Sequence, residues 1–86
     1  MKIVKYGADW CGPCRTLSEL LKNSGLNYEE IDINEHPEAF DNKDISEIPY
    51  VEIVDDSGEV YEVFEHGLEA DDLIEIEEKY GQSIFK

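Results

Sequence analysis

Positive charge is scarce in this chain. Seven lysines and arginines stand against twenty-two aspartates and glutamates in 86 residues, a formal net charge of −15. Residues 1–25 hold four basic and two acidic side chains, whereas residues 26–86 hold three and twenty. Phosphate contacts need clustered lysine and arginine, so a direct nucleic-acid binder is set aside. The acidic excess reads as a solvated surface, with electrostatic steering toward a basic partner as the sharper alternative. Long apolar runs are missing as well. Met1–Tyr6 does not provide a signal-peptide core, and no later stretch approaches a membrane span. A soluble, reducing compartment, the cytoplasm, is the expectation. There is no internal repeat and no low-complexity linker, and the length is that of one domain, residues 1–86.

Cysteine is scarce too. A chain this short buries only about 60–65% of its unfolded surface, and small secreted domains compensate with several disulfides. This one has Cys11 and Cys14 alone, with two residues between them. A bridge across so short a loop adds little chain-entropy stabilisation. Histidine is limited to His36 and His66, neither near Cys11, while structural zinc wants four ligands. The pair therefore reads as a reagent rather than a staple, with a zinc half-site or two ordinary buried thiols as the alternatives.

What is present organises well. Ile3–Tyr6 is a short apolar run consistent with a buried strand. After a turn at 7–9, a helix is predicted from about Gly12 to Asn23, with Cys14, Leu17 and Leu21 at helical spacing and Gly25 as its stop. Tyr28–Ile33 reads as a second strand. Asn34 is expected to cap a short helix from His36 to about Lys43, with Pro37 in its first turn. Tyr50–Val54, alternating through Glu52, and Glu59–Phe64 form a hairpin across 55–58. A last helix runs from about Glu69 to Tyr80 and stops at Gly81. The order β-α-β-α-β-β-α predicts an α/β fold with parallel first strands, an antiparallel hairpin and helices on both faces.

The cysteines fall at the first strand-to-helix junction. Three residues apart on a first helical turn, they share a face, within the geometric limits for a disulfide. Cys11 lies at the open helix N-terminus, where unpaired N–H groups and the dipole favour a thiolate. Cys14 is in phase with Leu17 and Leu21 and is expected to be the more buried. This assigns Cys11 as the attacking nucleophile and Cys14 as the thiol that resolves the mixed disulfide. Pro13 has no N–H to lose there.

The segment Trp10-Cys11-Gly12-Pro13-Cys14 resembles the active-site motif of thioredoxins letter for letter. Ile31-Asp32-Ile33-Asn34-Glu35-His36-Pro37 resembles that family's second strand and helix start. Ile45-Ser46-Glu47-Ile48-Pro49 is similar to its approach to an active-site proline, Gly58-Glu59-Val60 to its hairpin, and Gly67 to a conformationally special glycine. The likeness covers essentially the whole chain, short of an extra N-terminal strand and helix and with a shorter first helix. That plan is similar to glutaredoxins and to the redoxins that reduce ribonucleotide reductase. The resemblance implies a minimal thioredoxin fold with a four-stranded mixed sheet. It implies a cis Ile48–Pro49 bond, where the residues alone favour a trans proline opening a strand. It implies substrate contacts from Trp10, Gly12, Pro13, Ile48, Pro49 and Gly67, with Tyr50 either sharing a docking rim with Trp10 or lying in the core. It further implies a monomeric reductant of protein disulfides that binds no cofactor or metal. Such a reductant is recharged from NADPH through a thioredoxin-reductase-type flavoenzyme, with ribonucleotide reductase as a candidate target. A glutathione-dependent glutaredoxin, a non-catalytic interaction subunit and a dimeric iron–sulfur carrier are the rival readings.

Two positions depart from the family pattern. Thioredoxins resemble one another in a buried aspartate six residues before the first cysteine, near a lysine on the neighbouring strand. Here the matching positions are Lys5 and Glu30, so the charges are exchanged. They form either a reversed pair that tunes Cys14 or relays its proton, or a snorkelling lysine and a surface acid. The second departure is Glu65–Asp71, which has a single glycine where glutaredoxins present two. Its acids would repel glutathione's carboxylates. His66 reads as a surface imidazole beside the site, with pH sensing as the alternative.

Overall fold

The computed structural model describes residues 1–43 and 45–86. Strand β1 (Lys2–Gly7) is followed by helix α1 (Gly12–Ser24), strand β2 (Tyr28–Asp32) and helix α2 (Pro37–Asn42). Strands β3 (Tyr50–Val54) and β4 (Val60–Phe64) then lead to helix α3 (Ala70–Tyr80) and a 3-10 turn at Gly81–Ile84. The sheet order is β2-β1-β3-β4. β1 runs parallel to β2, with Lys5 opposite Glu30, and antiparallel to β3, with Lys5 opposite Val51. β3 and β4 close the sheet as an antiparallel hairpin with an irregularity at Ile53/Val54.

Alternation along the strands splits the core into two layers. Ile3, Val51 and Ile53 face α1 and α3 and pack with Leu17, Leu21, Leu73 and Ile76. Val4, Tyr6 and Val54 face the other way and pack with Ile45 and with Ala39 and Phe40 of α2. β1 is thus covered on both faces, which is why its sequence reads as a continuous apolar run. Lys5 shares the α1 face with Ile3, one pleat nearer the cysteines. Both helices long enough for a full apolar stripe present it to the sheet and end on a glycine, α1 at Gly25 and α3 at Gly81.

Two local readings need correction, and one element is new. Asn34 does not cap α2: His36 holds that position without a side-chain bond, while the Asn34 N–H donates to Asp32 Oδ1 at 2.8 Å. Glu52 is not a solvent-facing alternation but 3% exposed, because α2 and the segment after it cover that face. Its carboxylate accepts from the Tyr6 hydroxyl at 3.3 Å and lies 3.2 Å from Lys43 Nζ. The turn at Gly81–Ile84 was not predicted. It inserts Ile84 into the α1/α3 layer, and the Ile84 carbonyl accepts from the Asn27 N–H at 2.7 Å.

Candidate active site

The site grows out of the end of β1. The chain turns at Ala8–Trp10, and Cys11 takes up the N-cap position of α1 in extended backbone geometry (φ −90°, ψ 115°). Its Sγ accepts from the Cys14 N–H at 3.2 Å, as an N-cap side chain does, so one of the helix's unpaired donors points at this sulfur. Cys11 and Cys14 are joined by a disulfide, with Cα atoms 5.2 Å apart. Cys14 is 1% exposed and Cys11 7%, and both pack with Ala8 against Ile33 and Ile48. Trp10 is 67% exposed, and Gly12 and Pro13 are also at the surface. Together they make a shelf above the disulfide.

On the β3 side of the disulfide, the Ile48–Pro49 peptide is cis and Pro49 is buried. Gly67 lies against it: a Cβ there would stand 2.7 Å from Pro49 Cγ, and its backbone is left-handed, at φ +84°. Tyr50 belongs to the core rather than to the rim. It is half-buried on the α2 face, edge-on to Tyr6 at 5.8 Å. His66 and Glu47, both exposed, pair at 3.0 Å across the two loops that carry Gly67 and Pro49.

On the β2 side lies the charged part of the site. The Lys5 side chain, 7% exposed, donates to the Cys14 carbonyl at 2.9 Å, to Glu30 Oε1 at 2.6 Å and to Ser18 Oγ. Ser18 in turn bonds the Cys14 carbonyl at 3.1 Å and Glu30. Burial alone would push the Glu30 carboxyl up. The hydrogen bonds from Lys5 and Ser18, with the lysine's charge, outweigh that and hold it below the usual carboxylate value. A cleft of about 300 Å³ opens beside this network and reaches Cys14. Sequence reasoning missed two contributors. Ser18 sits one turn beyond Cys14 on the same helical face, a spacing that could have flagged it. Gly7 is where β1 passes the sulfur: a Cβ there would stand 2.9 Å from Cys14 Sγ and 3.3 Å from Lys5 Cε.

A vicinal sulfur pair at a helix N-terminus, beside a buried cis proline, is the arrangement of a thiol–disulfide exchange site. A family profile described as thioredoxin matches residues 1–79. This chain belongs to the thioredoxin family. It is 38% identical over 55 residues to thioredoxin 3 of Plasmodium falciparum, covering 58% of this chain and 30% of that protein. It is 32% identical over 66 residues to the thioredoxin of Chlamydia pneumoniae, covering 71% of this chain and 65% of that one. The chain thus spans less than two thirds of these two relatives. Among solved structures, thioredoxin 1 of Thermosipho africanus superposes with a TM-score of 0.78 at 24% identity, over 93% of each chain. Oxidised Plasmodium falciparum thioredoxin gives 0.75 at 23%, over 92% of this chain and 79% of that one. The thioredoxin fold is therefore shared well beyond the motif. Among the described residues, no three of His, Cys, Asp and Glu converge as a metal site, and no helix is long and apolar enough to cross a membrane.

Proposed function

We propose that this chain is a dithiol reductant of protein disulfides, a single thioredoxin-like domain acting as a monomer in the cytoplasm. The observation that carries the reading is the Cys11–Cys14 disulfide capping α1 against the cis Ile48–Pro49 segment. In the reduced protein the Cys11 thiolate, favoured by the helix N-terminus, attacks a target disulfide and displaces one target sulfur. Cys14 then attacks Cys11 Sγ in the mixed disulfide and releases the second sulfur, leaving the disulfide seen here. Two electrons pass to the target. Trp10, Gly12 and Pro13 receive the target from one side. Ile48 offers its backbone to an extended target segment, and Gly67 leaves Pro49 room to hold that edge. No bound cofactor takes part. Electrons return from NADPH through a separate thioredoxin-reductase-type flavoenzyme, and ribonucleotide reductase is a candidate target. The acids Glu65, Glu69 and Asp71 beyond β4 disfavour glutathione as donor.

The test is disulfide reduction driven by NADPH with thioredoxin reductase, by NADPH with glutathione and glutathione reductase, or by dithiothreitol. Turnover with the first and with dithiothreitol is expected. Turnover with glutathione alone makes the protein a glutaredoxin, and silence with every donor overturns the catalytic reading.

A further inference from the structure

We infer that Lys5 is a positioning residue for the second half of the reaction: it holds positive charge against Cys14 so that this thiol resolves the mixed disulfide as a thiolate without a carboxylate base. The inference rests on the exchange chemistry proposed above and specifies how its second step is driven. An ammonium has three protons and no acceptor capacity. Here three acceptors converge on it, the Cys14 carbonyl, Glu30 and Ser18 Oγ, so the charge is tethered in one place. The place is next to the sulfur. The point beside Gly7 that is 2.9 Å from Cys14 Sγ is 3.3 Å from Lys5 Cε, with no side chain between them because Gly7 has none.

The charges facing Cys14 are not all equal. Asp9, Asp32 and Glu35, with Arg15 and His36, line the cleft from the surrounding turn, β2 and the ends of α1 and α2. All but Asp32, which is half-buried, are exposed, and water screens them. Glu30 is the close anion, yet its side chain is 42% exposed while that of Lys5 is 7% exposed. The less screened member of the pair is the cation, and its field at the sulfur is the larger. Glu30 is also a poor proton acceptor in this arrangement, since both Lys5 and Ser18 already donate to the same Oε1. Its part is to neutralise and anchor Lys5. The step then balances simply. The Cys14 thiolate bonds to Cys11 Sγ, the Cys11–target bond breaks, and the target sulfur leaves with the electron pair and is protonated by water.

The experiment titrates Cys14 alone, in a Cys11→Ser background, by following its alkylation rate and thiolate absorbance against pH. Lys5→Met is expected to cut the thiolate fraction at pH 7 by about tenfold or more, the scale of an opposite charge at close range. Lys5→Arg restores it. Glu30→Gln, a change at the exposed end of the pair, moves the titration the other way and raises the fraction. A merely structural role would move Lys5→Met and Glu30→Gln in the same direction. That result, or an unchanged titration in Lys5→Met, overturns the inference. If Lys5→Met fails to fold, a higher thiolate fraction in Lys5→Arg than in Lys5→Gln, together with a higher fraction in Glu30→Gln than in the parent, carries the test, and the reverse order in either comparison overturns the inference. In parallel, Cys14→Ser traps the mixed disulfide formed by Cys11. Loss of that trap would count against the exchange reaction itself, independently of how Cys14 titrates.

Discussion

Gly67→Ala and Gly25→Ala form a matched pair that isolates the Gly67–Pro49 contact proposed to hold the target-docking edge. Both glycines are left-handed, at φ +84° and φ +78°. Forcing an L side chain into that region costs about 1–2 kcal/mol, so both variants carry this term. They differ in what the new Cβ meets. At Gly25 nothing lies within 4 Å, whereas at Gly67 Pro49 Cγ is 2.7 Å away and Leu17 Cδ2 is 3.8 Å away. Pro49 is a buried ring with no rotamer to yield, so the clash must be relieved by moving backbone, an overpacking cost of about 1–3 kcal/mol. The expected loss is therefore about 1–2 kcal/mol for Gly25→Ala and about 2–5 kcal/mol for Gly67→Ala. In a domain of this size each kcal/mol lowers Tm by roughly 4–8 °C. Urea melts of the two variants, with disulfide-reduction rates measured well below either midpoint, separate stability from function. Gly25→Ala should keep parental activity, while Gly67→Ala should lose activity even where it is fully folded, because Ile48 and Pro49 are displaced. Equal destabilisation of the two variants, or a folded Gly67→Ala of parental activity, would refute the argument that Gly67 is there to admit Pro49.

Two further outcomes concern pH. The Glu30 carboxyl is held low in the folded state, so its contribution is present above the ordinary value of 4.5 and is lost as pH falls through the folded pKa. Acid unfolding followed by circular dichroism should therefore show a shallower acid limb in Glu30→Gln. The Tyr6 hydroxyl is pushed up to about 12, first by burial and then by the Glu52 charge and hydrogen bond. Its contribution is complete below about pH 10 and fades as pH rises toward 12, so Tyr6→Phe should remove a phenolate absorbance step there and flatten alkaline unfolding.

Much of this architecture is legible in the chain. The β-α-β-α-β-β-α order follows from period changes and turn residues, and the reactive cysteine pair from its place at a strand-to-helix junction. The parts that escaped depend on contacts between distant segments. Glu52 looks like ordinary strand alternation until α2 and its neighbouring residues cover the second face of the sheet. Ile84 lies in a stretch too short to show any periodicity, and only its fit between α1 and α3 makes it core. Asn34 has the composition of a helix cap, but Asp32 claims its N–H first. Lys5 and Glu30 are 25 positions apart, and only parallel pairing of β1 with β2 sets them side by side.

The two flanks of the disulfide are built from different materials. On one, the Gly67–Pro49 contact is a fit between hydrocarbon surfaces, indifferent to pH and ionic strength. On the other, Lys5, Ser18 and Glu30 act through charge and hydrogen bonds beside a water-accessible cleft. On the function and inference proposed above, grip on the target and reactivity of the second sulfur are governed by separate physical forces. Either can drift or be engineered while the other is left in place. A redoxin of this design can acquire a new range of targets without changing its chemistry, or a new chemistry without losing its targets.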